Sequence, residues 1–268
     1  MSNTILDELK KKKVTALIAD GQRIDGRALD EPRPLTIDVG VIPKAEGSAR
    51  IRLGDTEVVC GVKIQPDKPF PDLGDRGIFI CTAEILPLAH PSVEPGPPGE
   101  EVIELARVVD RGIRESGMID LTKLVLQKDK SVIGIFVDNS VTDYDGNLFD
   151  ACSYASVASI LSCRVPKWEM KDEGPSRVAD EFIEPPIKTI PVSVTMGKIA
   201  DQIIVDPNAD EWQCMDARIT MTTNSDGNIC AVQKGGENGF TVEQLMRCSK
   251  IAVATGAKIR ETIKAIGK

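Results

Sequence analysis

An α/β (α+β) fold, with mixed sheets packed against helices, is predicted by the order and texture of the chain's segments. Runs of short β-rich segments are followed by a helical segment, and this order occurs twice, which points to sheets covered by helices. The stretch from Asp150 to Cys163 consists of Ala, Ser, Cys, Val, Ile and Leu and is apolar on almost every side, the texture of a helix buried between layers. With 268 residues the chain is long enough for a real core, and 41% hydrophobic against 28% charged residues excludes disorder.

In chain order, Asn3 can cap a first helix carrying Ile5, Leu6, Leu9, Leu17 and Ile18, which Asp20-Gly21 ends. Its lysine run, Lys10 to Lys13, reads as a solvated face. Arg23 to Arg27 (RIDGR) and Pro32-Arg33-Pro34 read as an extended polar lead-in. Ala49–Leu53 and Thr56–Ile64 flank Gly54-Asp55 as a hairpin. Gln65 to Gly77 is rich in Pro, Asp and Gly and reads as a loop, and Ile78–Leu86 as a strand. A helix follows the Pro/Gly run Pro95 to Gly99. Leu121–Gln127 and Ser131–Asn139 read as strands and Asp143 to Gly146 as a turn. Arg164 to Pro186 is polar and proline-bearing, which divides the chain into an N-terminal helix (1–22), a first half (23–186) and a second half (187–268). Strands return at Ile190–Met196, Gln202–Val205, Arg218–Thr223 and Ile229–Gln233, with Asp226-Gly227 as a hairpin turn. Gly235-Gly236 breaks the last strand, and Thr241-x-x-Gln244 is a capping box opening a long final helix to about Ile263.

Composition removes several function classes. Seven cysteines, an odd number with no C-x-x-C pair, read as buried reduced thiols rather than a zinc site or disulfide framework. A single histidine, His90, removes His-dependent triads and His-rich metal sites. The longest apolar run is far short of a membrane span and no signal-like segment is apparent, so the expected location is the cytoplasm. A net charge of −8 means that any nucleic-acid contact is local or shared with a more basic partner. Four aspartates between Asp138 and Asp150 lack calcium-loop spacing and read as turn residues. Gly235, Gly236 and Gly239 do not form a dinucleotide fingerprint.

The most informative stretch is Glu94 to Ser116. Glu100 and Glu101 occupy a helix's first turn, where its dipole favours negative side chains. Val102, Leu105, Ala106, Val109 and Ile113 make an apolar face, while Arg107, Arg111 and Arg114 share another. Two readings of the arginine row stand: solvated pairs of Glu104 with Arg107 and Asp110 with Arg114, or a binding surface for phosphates.

Five blocks in order, RIDGR (23–27), EGSARIRLGDTEVVCGVK (46–63), ELARVVDRGIR (104–114), MIDLTKLVL (118–126) and DGNLFDACSYASVASIL (145–161), make the chain resemble the RNase PH family over essentially its whole length. Within that family it is most similar to the inactive ring subunit of the archaeal exosome. The resemblance implies two βαβα-type halves and a hexameric ring of three heterodimers with a catalytic sister subunit, served by RNA-binding cap subunits. Active members shorten single-stranded RNA from its 3′ end with inorganic phosphate. That chemistry needs arginines whose donor forks match phosphate, and a carboxylate pair that holds a metal ion or handles the proton.

Placed against the active pattern, this chain departs at each of those parts. The adjacent phosphate arginines fall on Glu100 and Glu101, the third on Phe149, and the first catalytic aspartate on Ile204. The second aspartate is retained as Asp210, which also reads as a surface carboxylate of the acidic loop 206–211. The expected role is therefore that of a subunit inactive by itself, with no catalytic or metal residues and no cofactor of its own. Phosphate and Mg²⁺ are implied for the catalytic partner. Arg107, Arg111 and Arg114 are the candidate RNA-binding residues, since their helix borders the phosphate site in active relatives. An autonomous phosphate-dependent exoribonuclease or nucleotidyltransferase is argued against by the same four positions, and a free RNA-binding module by the acidic balance. Trp212, Tyr144 and Tyr154 read as core or interface residues. A ring subunit is also expected to expose apolar surface when alone.

Overall fold

The computed structural model describes residues 5–172 and 174–265, the side chains of residues 5–7 excepted. The proposed cap Asn3 therefore lies outside the described residues, as do the side chains of Ile5 and Leu6.

Helix α1 (Ile5–Ala19) ends at Gly21, which takes the left-handed φ of +76° that its missing Cβ permits. Its buried residues are Val14 and Ile18, whereas Leu9 is exposed and the lysines face solvent. Strand β1 (Leu35–Val39), not expected from the sequence, joins the hairpin β2 (Gly47–Leu53) and β3 (Thr56–Asp67). A five-residue strand with only Leu35, Ile37 and Val39 to pack gives a weak alternation signal. Strand β4 (Ile78–Ile85) precedes α2 (Glu100–Glu115). Leu121–Leu124 is a 3₁₀ turn, with Asp120 accepting a hydrogen bond from the Thr122 amide, so the strand expected there shortens to β5 (Val125–Gln127). β6 (Ser131–Asp143) runs four residues beyond its expected end. The first sheet has the order β1-β2-β3-β6-β4, with β5 also on β6; only the β4–β6 pair is parallel.

Helix α3 (Leu148–Leu161) is buried along every residue but the last. It packs on β2 and β3 of the first sheet and, through its other side, on β9 (Val192–Ile199) of the second. Its polar side chains are satisfied by both sheets: Ser156 bonds Asn139, Ser159 donates to the Cys60 carbonyl, and the Tyr154 hydroxyl donates to the Ser193 carbonyl at 2.8 Å. The helix is thus the central layer, and its polar atoms fix it to both neighbours.

Between the halves the sequence suggested a polar, proline-bearing boundary with no strand of its own. The described residues instead form an antiparallel hairpin, β7 (Val165–Lys171) and β8 (Gly174–Ile183). Its alternating exposed charges gave it the composition of a loop. The second sheet is β10-β9-β11-β12, wholly antiparallel, from β9, β10 (Gln202–Val205), β11 (Ala217–Thr223) and β12 (Ile229–Gly235). The short helix α4 (Ala209–Trp212) follows β10. The last helix, α5 (Val242–Lys264), carries the expected capping box, with Thr241 and Gln244 each bonding the other's backbone amide.

The seven cysteines are all free and none is paired; five are buried. Burial pushes the Cys60 thiol up to about 12, so this group is inert.

Candidate functional site

Helix α2 forms a wall of three cavities among the described residues, and two of them hold the residues singled out in the sequence. The third, lined by Glu100, Glu104, Arg107, Arg111 and Gln233, lies between them. The first of the two, about 310 Å³, is bounded by Glu101 and Glu104 of α2, Tyr144, Phe149 of α3, Trp212 of α4 and Arg218 of β11. Glu101 and Phe149, two of the positions where phosphate arginines were sought, are thereby brought into one cleft. The rings of Phe149 and Trp212 stack with centroids 6.0 Å apart and planes 19° from parallel. Over them lies the Arg218 guanidinium, 4.1 Å from the Phe149 centroid and 5.3 Å from that of Trp212. Its Nη2 donates to Glu104 Oε1 at 2.7 Å. The rings and the Glu104 carboxylate hold this cation in place, and its charge is partnered by Glu104, although its buried Nε has no hydrogen-bond partner. Opposite Arg218 on β12 stands Gly235, where a Cβ would come within 2.4 Å of Arg218 Nη2. The glycine makes room for the guanidinium.

Arg218 was not singled out in the sequence. Its only local signal was a lone arginine opening a strand, which alternation predicts to be solvated. Glu104, expected to pair with Arg107 along the helix, instead reaches across to Arg218 and to the Gln233 amide. Two donors from the facing strands, Arg218 and Gln233, converge on Glu104 Oε1 and outcompete an exposed i,i+3 pair.

The remaining positions of the active pattern do not converge. Ile204 is fully buried in a small core with Val14, Ile18, Ile199 and Cys214, beneath α1. Asp210 is half-buried on α4, and its carboxylate takes no hydrogen bond among the described residues. Asp206 is not a surface carboxylate. It is buried and accepts hydrogen bonds from Arg33 Nη2 and Nε, at 2.8 and 2.9 Å, and from Asn147 Nδ2 at 2.7 Å. Arg23, likewise buried, grips Glu211 and donates to the Val205 carbonyl at 2.8 Å. The lead-in read as extended and polar is therefore a buried arginine clamp on the β10–α4 loop. Burial alone would oppose ionisation of Asp206, yet the hydrogen bonds and charge of Arg33 hold its carboxyl below the ordinary value. Among the described residues no group of His, Cys, Asp and Glu is arranged to hold a metal ion. The residues that remain do not fit the metal of the active pattern.

The second cavity, about 330 Å³, carries the arginine row: Arg107, Arg111 and Arg114 line it together with Phe70 and Phe79. The three differ in freedom. Arg114 is held by Asp110, with contacts of 2.9 and 3.0 Å that raise its pKa, and also donates to the Phe79 carbonyl at 2.8 Å. Arg111 donates to Gln233 Oε1 at 3.3 Å. Arg107 is exposed and makes no hydrogen bond or ion pair among the described residues. The expected Asp110–Arg114 pair is present and the Glu104–Arg107 pair is not.

Comparison with known proteins agrees with the architecture. Residues 31–166 match the 3′ exoribonuclease family, domain 1, and residues 189–255 match domain 2 of the same family. Exosome complex component Rrp42 of Thermococcus kodakarensis is 46% identical over 98% of both chains, and that of Thermoplasma acidophilum 46% over 97% of both. Among solved structures, a chain of the Archaeoglobus fulgidus exosome with RNA bound to the active site superposes with a TM-score of 0.90 at 44% identity, covering 97% of this chain and 99% of that one. A chain of an archaeal exosome core gives 0.87 at 41%, covering 98% and 100%. The chain belongs to the 3′ exoribonuclease family of RNase PH, whose two domains it carries in order.

Proposed function

We propose that this chain is a non-catalytic subunit of an archaeal exosome, a 3′–5′ phosphorolytic RNA-degrading complex, in which it supports a catalytic RNase PH-like sister and contributes to holding single-stranded RNA. The observation that carries this reading is the contrast between the two cavities on α2. In the first, the one arginine, Arg218, is held against Phe149 and Trp212 with Nη2 on Glu104, and Glu101 and Phe149 stand where phosphate arginines were sought. In the second, Arg107 and Arg111 lie one turn apart on one face with their guanidinium groups largely unclaimed. Phosphorolysis needs arginine forks open to phosphate in the first cavity, whereas non-specific RNA positioning needs only exposed guanidinium groups such as those of the second.

Three copies of each subunit alternating in a ring, with RNA-binding caps, follow from the family resemblance. Phosphate and Mg²⁺ then act at the sister's site, and this chain brings no cofactor. Exposed apolar side chains support assembly: Ile229 and Val232 on the edge strand β12, and Val242, Leu245, Met246 and Val253 on α5. No helix among the described residues is long and apolar enough to cross a membrane, and the cytoplasm is the compartment we assign.

The test is the salt dependence of RNA affinity in the assembled ring with and without Arg107→Glu and Arg111→Glu together. Each lost phosphate contact lowers the slope of log K against log salt by roughly 0.7 for single strands, so the double variant should lose about 1.4. An unchanged slope and affinity would remove Arg107 and Arg111 from the RNA path.

A further inference from the structure

We infer that Phe70 is a base-stacking residue for single-stranded RNA whose phosphates lie on Arg107 and Arg111; this rests on the RNA-binding reading above. The β3–β4 loop brings Phe70 to the wall of the cavity that the arginine row also lines, although 37 residues separate it from Arg107. Its ring is 48% exposed, whereas Phe79 in the same cavity is buried and carries the Arg114 guanidinium 5.7 Å from its centroid.

The loop holds the ring out rather than letting it collapse. Pro69 and Pro71 flank Phe70, which fixes the backbone angles of both neighbours and restricts Phe70 itself. The Leu73 amide closes a turn on the Phe70 carbonyl at 3.0 Å. Further along, the Gly74 carbonyl accepts from the Asp129 amide at 3.0 Å, and the Gly77 amide donates to the Leu121 carbonyl at 2.8 Å. A Cβ on Gly74 would collide with Asp129, so the loop lies close against its neighbour. An exposed ring on a pinned, proline-flanked turn loses little freedom when a planar ligand stacks on it.

Charge selects the ligand. Three arginines face two carboxylates, Asp110 and Glu115, around this cavity, in a chain of net charge −8, and Asp110 is engaged by Arg114. A flat apolar face beside Arg107, which has no partner among the described residues, and Arg111, which has only the Gln233 amide oxygen, matches a nucleotide, whose base has a π-face and whose phosphate is an anion. Stacking is tolerant of base identity, so a homopolymer serves as the probe.

The experiment measures binding of the assembled ring to two single-stranded RNA 12-mers, oligoadenylate and an abasic oligomer of the same backbone, by fluorescence anisotropy across a salt series. The inference expects Phe70→Ala to weaken oligoadenylate binding about 5- to 100-fold, to leave the abasic oligomer unaffected, and to preserve the salt slope. Phe70→Trp should retain oligoadenylate binding. Equal affinities of Phe70→Ala and wild type for oligoadenylate would overturn the inference; so would loss of ring assembly in Phe70→Ala on size exclusion, which would make the ring a contact with a partner subunit. A silent Phe70→Ala beside an Arg107→Glu/Arg111→Glu variant that loses salt slope would refute only the stacking role. If both variants are silent, the RNA-binding reading falls with it.

Discussion

The guanidinium of Arg218 lies 4.1 Å over the ring of Phe149, with Glu104 bound to its Nη2. Phe149 stands where the resemblance places a phosphate arginine, and the one arginine left in the cleft is turned to a structural purpose. Arg218, outside the positions where phosphate arginines were sought, here ties α2, α3, α4 and β11 together.

Arg218→Ala should therefore cost stability and gain no chemistry. Losing a partly buried cation–π contact and its carboxylate partner is expected to cost about 1–2 kcal/mol in urea unfolding. Gly235→Ala should give a loss of the same order, because its Cβ displaces the guanidinium from the rings. A Gly235→Ala variant as stable as wild type, with the stack still in place, would contradict this role.

Arg114 should behave unlike its two neighbours on the row. Arg114→Ala removes the contacts with Asp110 and the Phe79 carbonyl, and about 1 kcal/mol of stability is expected to go with them. Its effect on the salt slope of RNA binding should be smaller than that of Arg107→Glu or Arg111→Glu, measured side by side.

The Arg33–Asp206 pair should dominate acid stability. Asp206→Asn leaves Arg33 buried against a neutral partner, which is expected to cost about 3–5 kcal/mol. Because the folded state holds the Asp206 carboxyl below its ordinary value of 3.8, its contribution is complete above that pH and is lost as pH falls further. Acid-unfolding curves of wild type and Asp206→Asn should accordingly converge at low pH. Curves offset by a constant amount at every pH would contradict the titration of Asp206, and coincident curves would show that the pair contributes nothing.

Asp150 acts in the opposite direction. Burial in α3 pushes its carboxyl up to about 7, against the hydrogen bonds from Asn147 and Thr195. An unfolded chain releases this proton near pH 4 while the folded one keeps it to about 7, so stability from this group falls across that window as pH rises. Asp150→Asn should flatten unfolding free energy between pH 4 and 7. The same slope in the variant would assign it to another group.

Much of the fold was legible because local chemistry and tertiary demand agree. The Gly54-Asp55 turn, the Thr241–Gln244 capping box and the all-apolar α3 each state one conformation in a few residues. The misses share a cause. Arg23, Arg33, Asp206 and Glu211 are charged and looked solvated, yet they neutralise each other across more than 170 positions of sequence. The 165–183 hairpin looked like a boundary without strands because most of its residues face solvent. Glu104 left its helical neighbour for a strand that helical spacing cannot foresee. In the second cavity the row was visible at spacings of four and three, but Phe70, delivered by a loop, was not.

The most direct measurement is release of nucleoside diphosphates from end-labelled single-stranded RNA, with phosphate and Mg²⁺, by this chain alone and then by the chain mixed with its catalytic sister. Silence alone and phosphate-dependent release on mixing is the predicted result. Nucleoside diphosphate release by the chain alone would contradict it, because a cleft closed by Arg218, Glu104 and Phe149 would then have to bind phosphate.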